Sequence, residues 1–391
     1  MIMNKNLFLL TLSQVFGFTA ATITVFLSGI IGSQIASIKS LATLPTALTV
    51  VGTAVFATLA AKIMSKIGRK LGFILGSLAS SITCLLAAYA INDRNFILFC
   101  IANLILGAGM AFTHQYRFAA AESVEKDKAP KAISIIMLSG IVAAFLGISS
   151  ANYTKDLFTD FQYVGSYITL AIFMFIPTIF FSFYENKNTS EIELSKNHID
   201  RSYFEIISQP RFLQAVIAAA FAYAIMSFLM TATPMSMYIM EKMSLHKTGL
   251  VLQFHVVGMF LPSLITGYLI KKYGHSNIMY VGVLFFGITI IMSLFEQTFT
   301  NYLFALIFLG LGWNFLFISG TSLLVISYKE EEKFRAQGIN DLVVFSTMAL
   351  GSLSAGVLLS LTSWKFMNLF CIPFLLLILI STFRAEFLSR K

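Results

Sequence analysis

Two methionine-containing pairs lie on consecutive apolar segments of the chain. Met226 and Met230 lie on the first segment, and His255 and Met259 lie on the second. The spacing within each pair is four residues, so on a helix both side chains point the same way, about 6 Å apart along the axis. Three thioethers and an imidazole form a soft, neutral ligand set without a carboxylate, which suits Cu(I). These four residues are therefore predicted to form a copper site.

The elements that would position these residues are two helices joined by a polar turn at residues 241–247. We expect an antiparallel hairpin, in which a rise of about 1.5 Å per residue places both pairs in one layer. The alternative is ordinary packing, because the chain has 17 Met and methionine commonly fills apolar helices. In that alternative His255 is a packed, hydrogen-bonded histidine. A histidine inside a membrane helix nevertheless indicates a functional candidate.

The composition indicates an all-α membrane protein, because 57% of residues are hydrophobic and 12% are charged. Segments near the length needed to cross a bilayer recur along the chain. The predicted spans are 7–32, 41–62, 71–91, 96–118, 132–152, 165–184, 212–236, 247–270, 276–295, 302–326, 337–361 and 366–385. Twelve spans place both termini on one side. Most of the 27 Lys and Arg fall in the tails and turns of that side, so the termini are predicted to be cytoplasmic.

The chain divides into two six-span halves that resemble each other. The predicted organisation is an N-terminal bundle at 1–184, a cytoplasmic linker at 185–210 and a C-terminal bundle at 211–391. Residues 106–112 (LGAGMAF) resemble 309–315 (LGLGWNF), and the turn at 66–70 resembles 272–275. Two repeats that hold a substrate near the midplane are typical of transporters. In a membrane protein, a net charge of +9 reflects the orientation of the chain in the bilayer. It does not indicate nucleic-acid binding here.

The turn at 61–70 resembles the cytoplasmic signature of the major facilitator superfamily and keeps Gly68, Arg69 and Lys70. Ser65 replaces the signature's acidic residue. Asp341, near the start of span eleven, is either a simple N-terminal helix charge, because acidic residues favour helix N-termini, or the residue that supplies the missing carboxylate to Arg69 or Lys66.

A cytoplasmic gate is predicted from residues near the ends of several spans, two of which follow span four. Its members are Gly68, Arg69, Lys70, Asp341, Arg117 and Glu122. We expect Arg117 to extend its charge towards the cytoplasm, and the alternative is a role of Arg117 in substrate binding. Asn103 occupies the position at which many proton-coupled exporters have an arginine. Span five has Gly140 and Gly147 but no Gly-Pro pair, and both departures argue against a multidrug exporter.

Within the superfamily, the methionine and histidine pairs resemble the paired motif of CcoA-like copper importers. The resemblance implies an inner-membrane carrier that imports copper into a bacterial cytoplasm by alternating access and supplies haem-copper oxidase assembly. Riboflavin carriers belong to the same branch. Uptake of an organic molecule such as riboflavin or a ferric siderophore is therefore the alternative, and a transporter-like receptor is a further one.

A second group of methionine and histidine side chains follows Met226 and Met230 in the sequence. We predict that it captures copper at the outer mouth, against the alternative of interfacial packing. Its members are Met235, Met237, Met240, Met243 and His246.

Copper is the substrate in this hypothesis. We expect no cofactor, no enzymatic activity and a monomer in the bilayer. Cys84, Cys100 and Cys371 fall in apolar spans, and no disulfide framework is predicted.

Overall fold

The fold is entirely helical in a computed structural model. The structure describes residues 3–125, 129–158, 162–186, 202–328 and 333–389. In this part of the chain twelve helical segments are long and apolar enough to cross a membrane, which confirms the predicted class. Residues 187–201 of the predicted linker lie outside the described residues, and the boundary between the two bundles stays a prediction.

Up to residue 186, the described part of the chain has nine α-helices. They are α1 (Lys5–Gly17), α2 (Thr19–Ile23), α3 (Gly29–Ile35), α4 (Leu44–Ile67), α5 (Arg69–Asn92), α6 (Phe96–Thr113), α7 (Tyr116–Ser123), α8 (Ala129–Thr154) and α9 (Val164–Ser182). A short 3-10 helix, Lys39–Leu41, precedes α4. Span four was predicted to run to residue 118. It ends at Thr113, and α7 begins as a separate helix.

From residue 202 on, the described part of the chain has nine further α-helices. They are α10 (Tyr203–Ile207), α11 (Pro210–Pro234), α12 (Leu245–Phe260), α13 (Ser263–Tyr273), α14 (His275–Ser293), α15 (Phe299–Val325), α16 (Lys333–Leu361), α17 (Trp364–Phe370) and α18 (Ile372–Ser389). We call the end of the bundle at which α1 begins and α18 finishes the terminal end. The opposite end is the far end.

Local sequence signals set where the helices start and stop. The Asn95 side chain accepts a hydrogen bond from Leu98 N and caps α6, and Ser244 caps α12 in the same way through Lys247 N. A polar side chain at this position satisfies one of the free N–H groups of the first turn. Gly68 stops α4 with a φ of +83°, a conformation that glycine adopts without steric cost.

Two spans are irregular in their far-end halves. Span one contains a π-helix, Thr24–Ser28, between α2 and α3. Span seven continues past Pro234 as a second π-helix, Met235–Met240. The extra residue in a π-helical turn shifts the faces of the helix relative to one another, and such turns are frequent at functional sites. Both interruptions adjoin the space between the two halves.

The internal repeat predicted from the sequence is visible in equivalent helix contacts. A Cβ on Gly107 of α6 would lie 2.1 Å from the backbone oxygen of Thr49 on α4. In the second half, a Cβ on Gly310 of α15 would lie 2.5 Å from the backbone oxygen of His255 on α12. The turns repeat as well, since Gly274 has a φ of +85°, close to that of Gly68. The α4–α6 and α12–α15 pairs are therefore packed so closely that only glycine fits.

The two halves meet at the far end. A Cβ on Gly356 of α16 would lie 2.0 Å from Oγ1 of Thr43, just before α4. Gly249 of α12 faces Ile148 of α8, where an added Cβ would lie 2.8 Å from the isoleucine side chain. Nearby, Gln253 Nε2 donates to Ser149 Oγ at 3.0 Å. These contacts close the far end of the cleft between the halves.

The prediction that spans seven and eight pack against each other as a hairpin is wrong. The helices α11 and α12 are joined by a short turn, but α11 packs mainly against α15 and α16, and α12 packs against α15 and α8. The reason is the interleaving of consecutive helices, which places α15 beside both of them. The outward faces of the bundle are apolar, with Ile82 67% exposed and Ile97 71% exposed, as expected for surfaces that contact lipid.

Candidate functional site

A cavity lies between the two halves in the middle of the bundle. It encloses about 1320 Å³ of empty space, including its open part. Helices from both halves line it, and Gln14, His114 and Arg117 extend its wall towards the terminal end. The contacts between the halves close this space at the far end. Small-molecule sites commonly lie in clefts between two halves of a protein.

The wall formed by the first half carries most of the cavity's polar side chains, next to apolar ones such as Phe18, Met110 and Met137. Its polar members are Gln14, Thr22, Thr24, Thr46, Thr49, Thr53, Thr113, His114 and Arg117. Thr53 Oγ1 donates to the backbone oxygen of Thr49 at 2.9 Å, and Thr24 Oγ1 donates to that of Ala20 at 2.7 Å. A hydroxyl that donates its proton to the backbone keeps two lone pairs. This wall is therefore rich in groups that accept hydrogen bonds.

The wall formed by the second half is made largely of sulfur and aromatic side chains. Its members of these two types are Tyr223, Met226, Met230, Met259, Phe260, Phe317, Phe345 and Met348. The rings support one another, with Tyr223 edge-on to Phe317 at 4.8 Å between centroids and Trp313 stacked on Phe317 at 4.9 Å. Planar ligands pack well against such a surface, because aromatic and thioether groups attract aromatic rings.

The structure brings three of the four predicted copper ligands to the same cavity. Met226, Met230 and Met259 line it, whereas His255 is absent from its lining. His255 is fully buried, and its Nδ1 lies 2.7 Å from the backbone oxygen of Leu306 on α15. A carbonyl only accepts, so Nδ1 carries the proton and Nε2 keeps a lone pair. That Nε2 has no hydrogen-bond partner among the described residues.

The position of His255 follows from the internal repeat. Thr49 is its counterpart in the first half, and Thr49 Oγ1 lies 3.2 Å from Oδ1 of Asn103 on α6. In each half a polar side chain therefore contacts the neighbouring helix of a closely packed pair, which is α4–α6 in the first half and α12–α15 in the second. The imidazole bonds to α15, as the packing alternative expected for a hydrogen-bonded histidine.

The predicted gate is only partly assembled as expected. Arg69 binds Glu122, with Nε to Oε2 at 2.7 Å and Nη2 to Oε1 at 2.5 Å. The proposed pairing of Arg69 with Asp341 is therefore wrong. The reason is the break after Thr113, which lets α7 fold back and carry Glu122 to the start of α5. Asp341 instead accepts a hydrogen bond from Asn340 at 3.1 Å and interacts electrostatically with Arg117. Lys70 lies beside this turn, and its backbone N–H donates to Asn186 at 3.0 Å.

Arg117 lines the central cavity on its terminal-end side, close enough to Asp341 and Tyr223 of the second half for its charge to act on both. Its extension towards the cytoplasm stays a prediction, and its place in the lining is compatible with the alternative of a role in substrate binding. The early end of α6 places Arg117 there, because the chain turns after Thr113. His114 joins this wall and was not singled out from the sequence. The polar run of residues 114–117 inside an apolar segment was the signal that could have identified it.

The proposed capture group at the far end is divided between the interior and the surface. Met237 is fully buried and Met235 packs against Gly29, whereas Met240 is 46% exposed and His246 is also exposed. Met243 is half-buried and its backbone N–H bonds to Met237 O, which closes the turn. Met237 is therefore not a surface ligand, because the π-helix directs it into the core. Capture of a metal by the remaining members stays a prediction.

Sequence reasoning missed the polar wall. Thr46, Thr49 and Thr53 are spaced three and four residues apart on α4, so they share one helix face. That spacing was available in the sequence and predicts a hydroxyl-bearing stripe. Gln14 in α1 carried no such pattern, and only the packing of α1 beside the cavity reveals it.

This arrangement defines a multi-pass membrane transporter with two repeated halves around one central cavity. The sequence profile of the Major Facilitator Superfamily matches residues 7–242 and 215–390. The chain belongs to the Major Facilitator Superfamily, whose members are generally not enzymes.

Named relatives and solved structures agree with this assignment. The chain is 33% identical over 381 residues to the riboflavin transporter RfnT of Brucella anthropi, covering 96% of this chain and 94% of that protein. It is 26% identical to the uncharacterised MFS-type transporter YdeG of Bacillus subtilis, covering 93% and 88%. The nucleoside transporter NupG has the same fold, with a TM-score of 0.72 at 14% identity and complete coverage of both chains. A bacterial homologue of the lysosomal transporter Spinster gives a TM-score of 0.74 at 12% identity, covering 97% and 96%.

Proposed function

We propose that this protein imports riboflavin, or a closely similar planar heterocycle with polar substituents, by alternating access. The similarity to a riboflavin transporter extends over 96% of the chain. Riboflavin uptake was the alternative hypothesis to copper import, and this similarity makes it the preferred one.

The observation that carries the proposal is the contrast between the two cavity walls. Riboflavin combines a planar, largely apolar ring system with a chain of hydroxyl groups. The ring system matches the methionine and aromatic wall of the second half, and the hydroxyl groups match the threonine-rich wall of the first half. Aromatic contacts contribute about 0.5–1.5 kcal/mol beyond area burial. Each hydrogen bond to the hydroxyl chain adds about 0.5–1.5 kcal/mol.

Transport requires the cleft to open at the far end while closing at the terminal end. The described far-end contacts, such as Gly249 with Ile148 and Gln253 with Ser149, include no ion pair that opening would have to break. At the terminal end, Arg117 and Asp341 come from different halves and approach each other. We propose that these two residues draw the halves together when the cavity closes on that side.

The orientation and location belong to the same proposal. We place the protein in the bacterial inner membrane with both termini in the cytoplasm, because the turns at the terminal end carry most of the basic residues. The terminal end would then face the cytoplasm, and the structure would represent an inward-facing state. We expect a monomer without a resident cofactor.

Growth of a bacterium that cannot synthesise or import riboflavin tests the proposal. Expression of the wild-type protein should restore growth on low riboflavin and allow uptake of the labelled vitamin. Ala21→Trp should abolish both, because Ala21 lines the cavity and an indole would fill it. Ala79→Trp is the matched control, since Ala79 lies on the exposed face of α5. Absence of uptake by a correctly inserted wild-type protein would refute the function.

Copper import is the second candidate, and one observation favours it. The sulfur atoms of Met226, Met230 and Met259 belong to residues that line one cavity, and thioethers suit Cu(I). Among the described residues no group of three or more His, Cys, Asp or Glu side chains could hold a metal ion. A copper site here would therefore depend on the methionines.

A methionine replacement separates the two candidates. Met226→Leu keeps the apolar volume but removes the sulfur donor, so it should abolish copper uptake and leave flavin uptake within about threefold, as volume-conserving exchanges usually do. Met174→Leu is the matched control, because Met174 is also buried but does not line the cavity. Labelled copper and labelled riboflavin should be measured in the same cells.

A further inference from the structure

Gln14 differs from the other polar residues of the cavity wall. Its side chain is 7% exposed, and its Oε1 is buried without a hydrogen-bond partner among the described residues. Gln14 is also part of the cavity lining. A buried amide oxygen without a partner is costly, so native structures rarely retain one unless water or a ligand completes it.

The neighbouring hydroxyl groups do not share this property. Thr24 and Thr53 donate to backbone carbonyls of their own helices, and Thr49 donates to the backbone oxygen of Pro45 at 3.2 Å. Their hydroxyl protons therefore already take part in hydrogen bonds to the backbone when the cavity is empty. Among the described residues of this wall, Gln14 Oε1 is the buried oxygen that takes part in no hydrogen bond, as donor or as acceptor.

A glutamine amide is suited to one particular partner. It offers an acceptor oxygen and an NH₂ donor side by side. The complementary group is an N–H next to a C=O in one plane, which is the imide edge of a pyrimidinedione ring. The ring system of a flavin carries this edge at the end opposite its benzenoid part.

We propose that Gln14 determines substrate specificity by accepting the imide N–H of the heterocycle. This inference rests on the proposed function and specifies how that substrate is held. The imide edge points to α1 in the first half, and the faces of the ring pack against the methionine and aromatic wall of the second half. A ligand without the N–H leaves the buried Oε1 unpaired and binds more weakly.

Binding to purified protein in detergent, followed through riboflavin fluorescence, tests this contact. The ligands are riboflavin and N3-methylriboflavin, in which a methyl group replaces the imide hydrogen. The proteins are wild type, Gln14→Leu and Ser13→Ala. Ser13 is the matched control, because it is fully buried and its Oγ also lacks a partner among the described residues, but it does not line the cavity.

We expect wild type to bind riboflavin about tenfold more tightly than the methylated ligand, the effect of one buried hydrogen bond. Gln14→Leu should bind both ligands equally, and Ser13→Ala should behave as wild type. Riboflavin binding by wild type with no preference over the methylated ligand would overturn this inference alone, even if Gln14→Leu fails to fold. Absence of riboflavin binding by folded wild type would overturn the proposed function and this inference with it.

Discussion

Adding one methyl group at Gly107 should destabilise the protein through the close contact of α4 and α6. A Cβ at this position would lie 2.1 Å from Thr49 O, and ordinary contact begins near 3.4 Å. The two helices would have to separate by about 1.3 Å, because the atoms in the way belong to backbone and cannot rotate aside. Overpacking of this kind costs about 1–3 kcal/mol. The better helix propensity of alanine returns up to about 1 kcal/mol.

Other glycines provide a graded series for this prediction. The corresponding backbone approach is 2.5 Å at Gly310 and 2.8 Å at Gly258, whereas a Cβ at Gly287 would meet nothing within 4 Å. The loss of stability should therefore fall in the order Gly107→Ala, Gly310→Ala, Gly258→Ala. Gly287→Ala should be neutral or stabilising by up to about 1 kcal/mol.

Thermal unfolding of the purified proteins in one detergent, followed by intrinsic fluorescence, measures this order. Gel filtration before heating confirms that each variant is folded and monodisperse. If Gly107→Ala unfolds at the same temperature as Gly287→Ala, the helices are not packed as closely as described, and the reasoning is refuted.

Two further predictions concern the metal hypothesis and the gate. Under the copper hypothesis, His255→Leu should abolish copper uptake; under the packing interpretation it should lower thermal stability and leave binding-site selectivity unchanged, which labelled uptake and thermal unfolding distinguish. Arg69→Glu should reduce transport severalfold by repelling Glu122, with little change in stability, because the pair is partly exposed and such pairs contribute about 0–1 kcal/mol. The double exchange Arg69→Glu with Glu122→Arg should restore transport, and a double variant as slow as Arg69→Glu would exclude a functional pair.

The twelve spans could be predicted from the sequence because each is long and apolar in its own right. The breaks within spans could not. The π-helices at Thr24–Ser28 and Met235–Met240 and the early end of α6 depend on how neighbouring helices pack. The break after Thr113 in turn decides the partner of Arg69 and the position of Arg117, so neither could be predicted from the spacing of residues along one helix.

The candidate site shows the same limit. Spacing on one helix correctly predicted that Met226 and Met230 share a face, and both line the cavity. The direction of His255 depends on Leu306, which is distant in the sequence and belongs to α15. Periodicity describes a helix face, but only tertiary packing decides which neighbour that face contacts.

The identity of the transported molecule is tested most directly by counterflow with the purified protein. Liposomes that contain the protein are loaded with unlabelled riboflavin and diluted into labelled riboflavin. Label should accumulate inside the wild-type liposomes, Ala21→Trp liposomes should accumulate none, and Cu(I) outside should not compete. Failure of wild-type liposomes to accumulate riboflavin, together with accumulation of labelled copper that Met226→Leu abolishes, would show that copper and not riboflavin is the substrate.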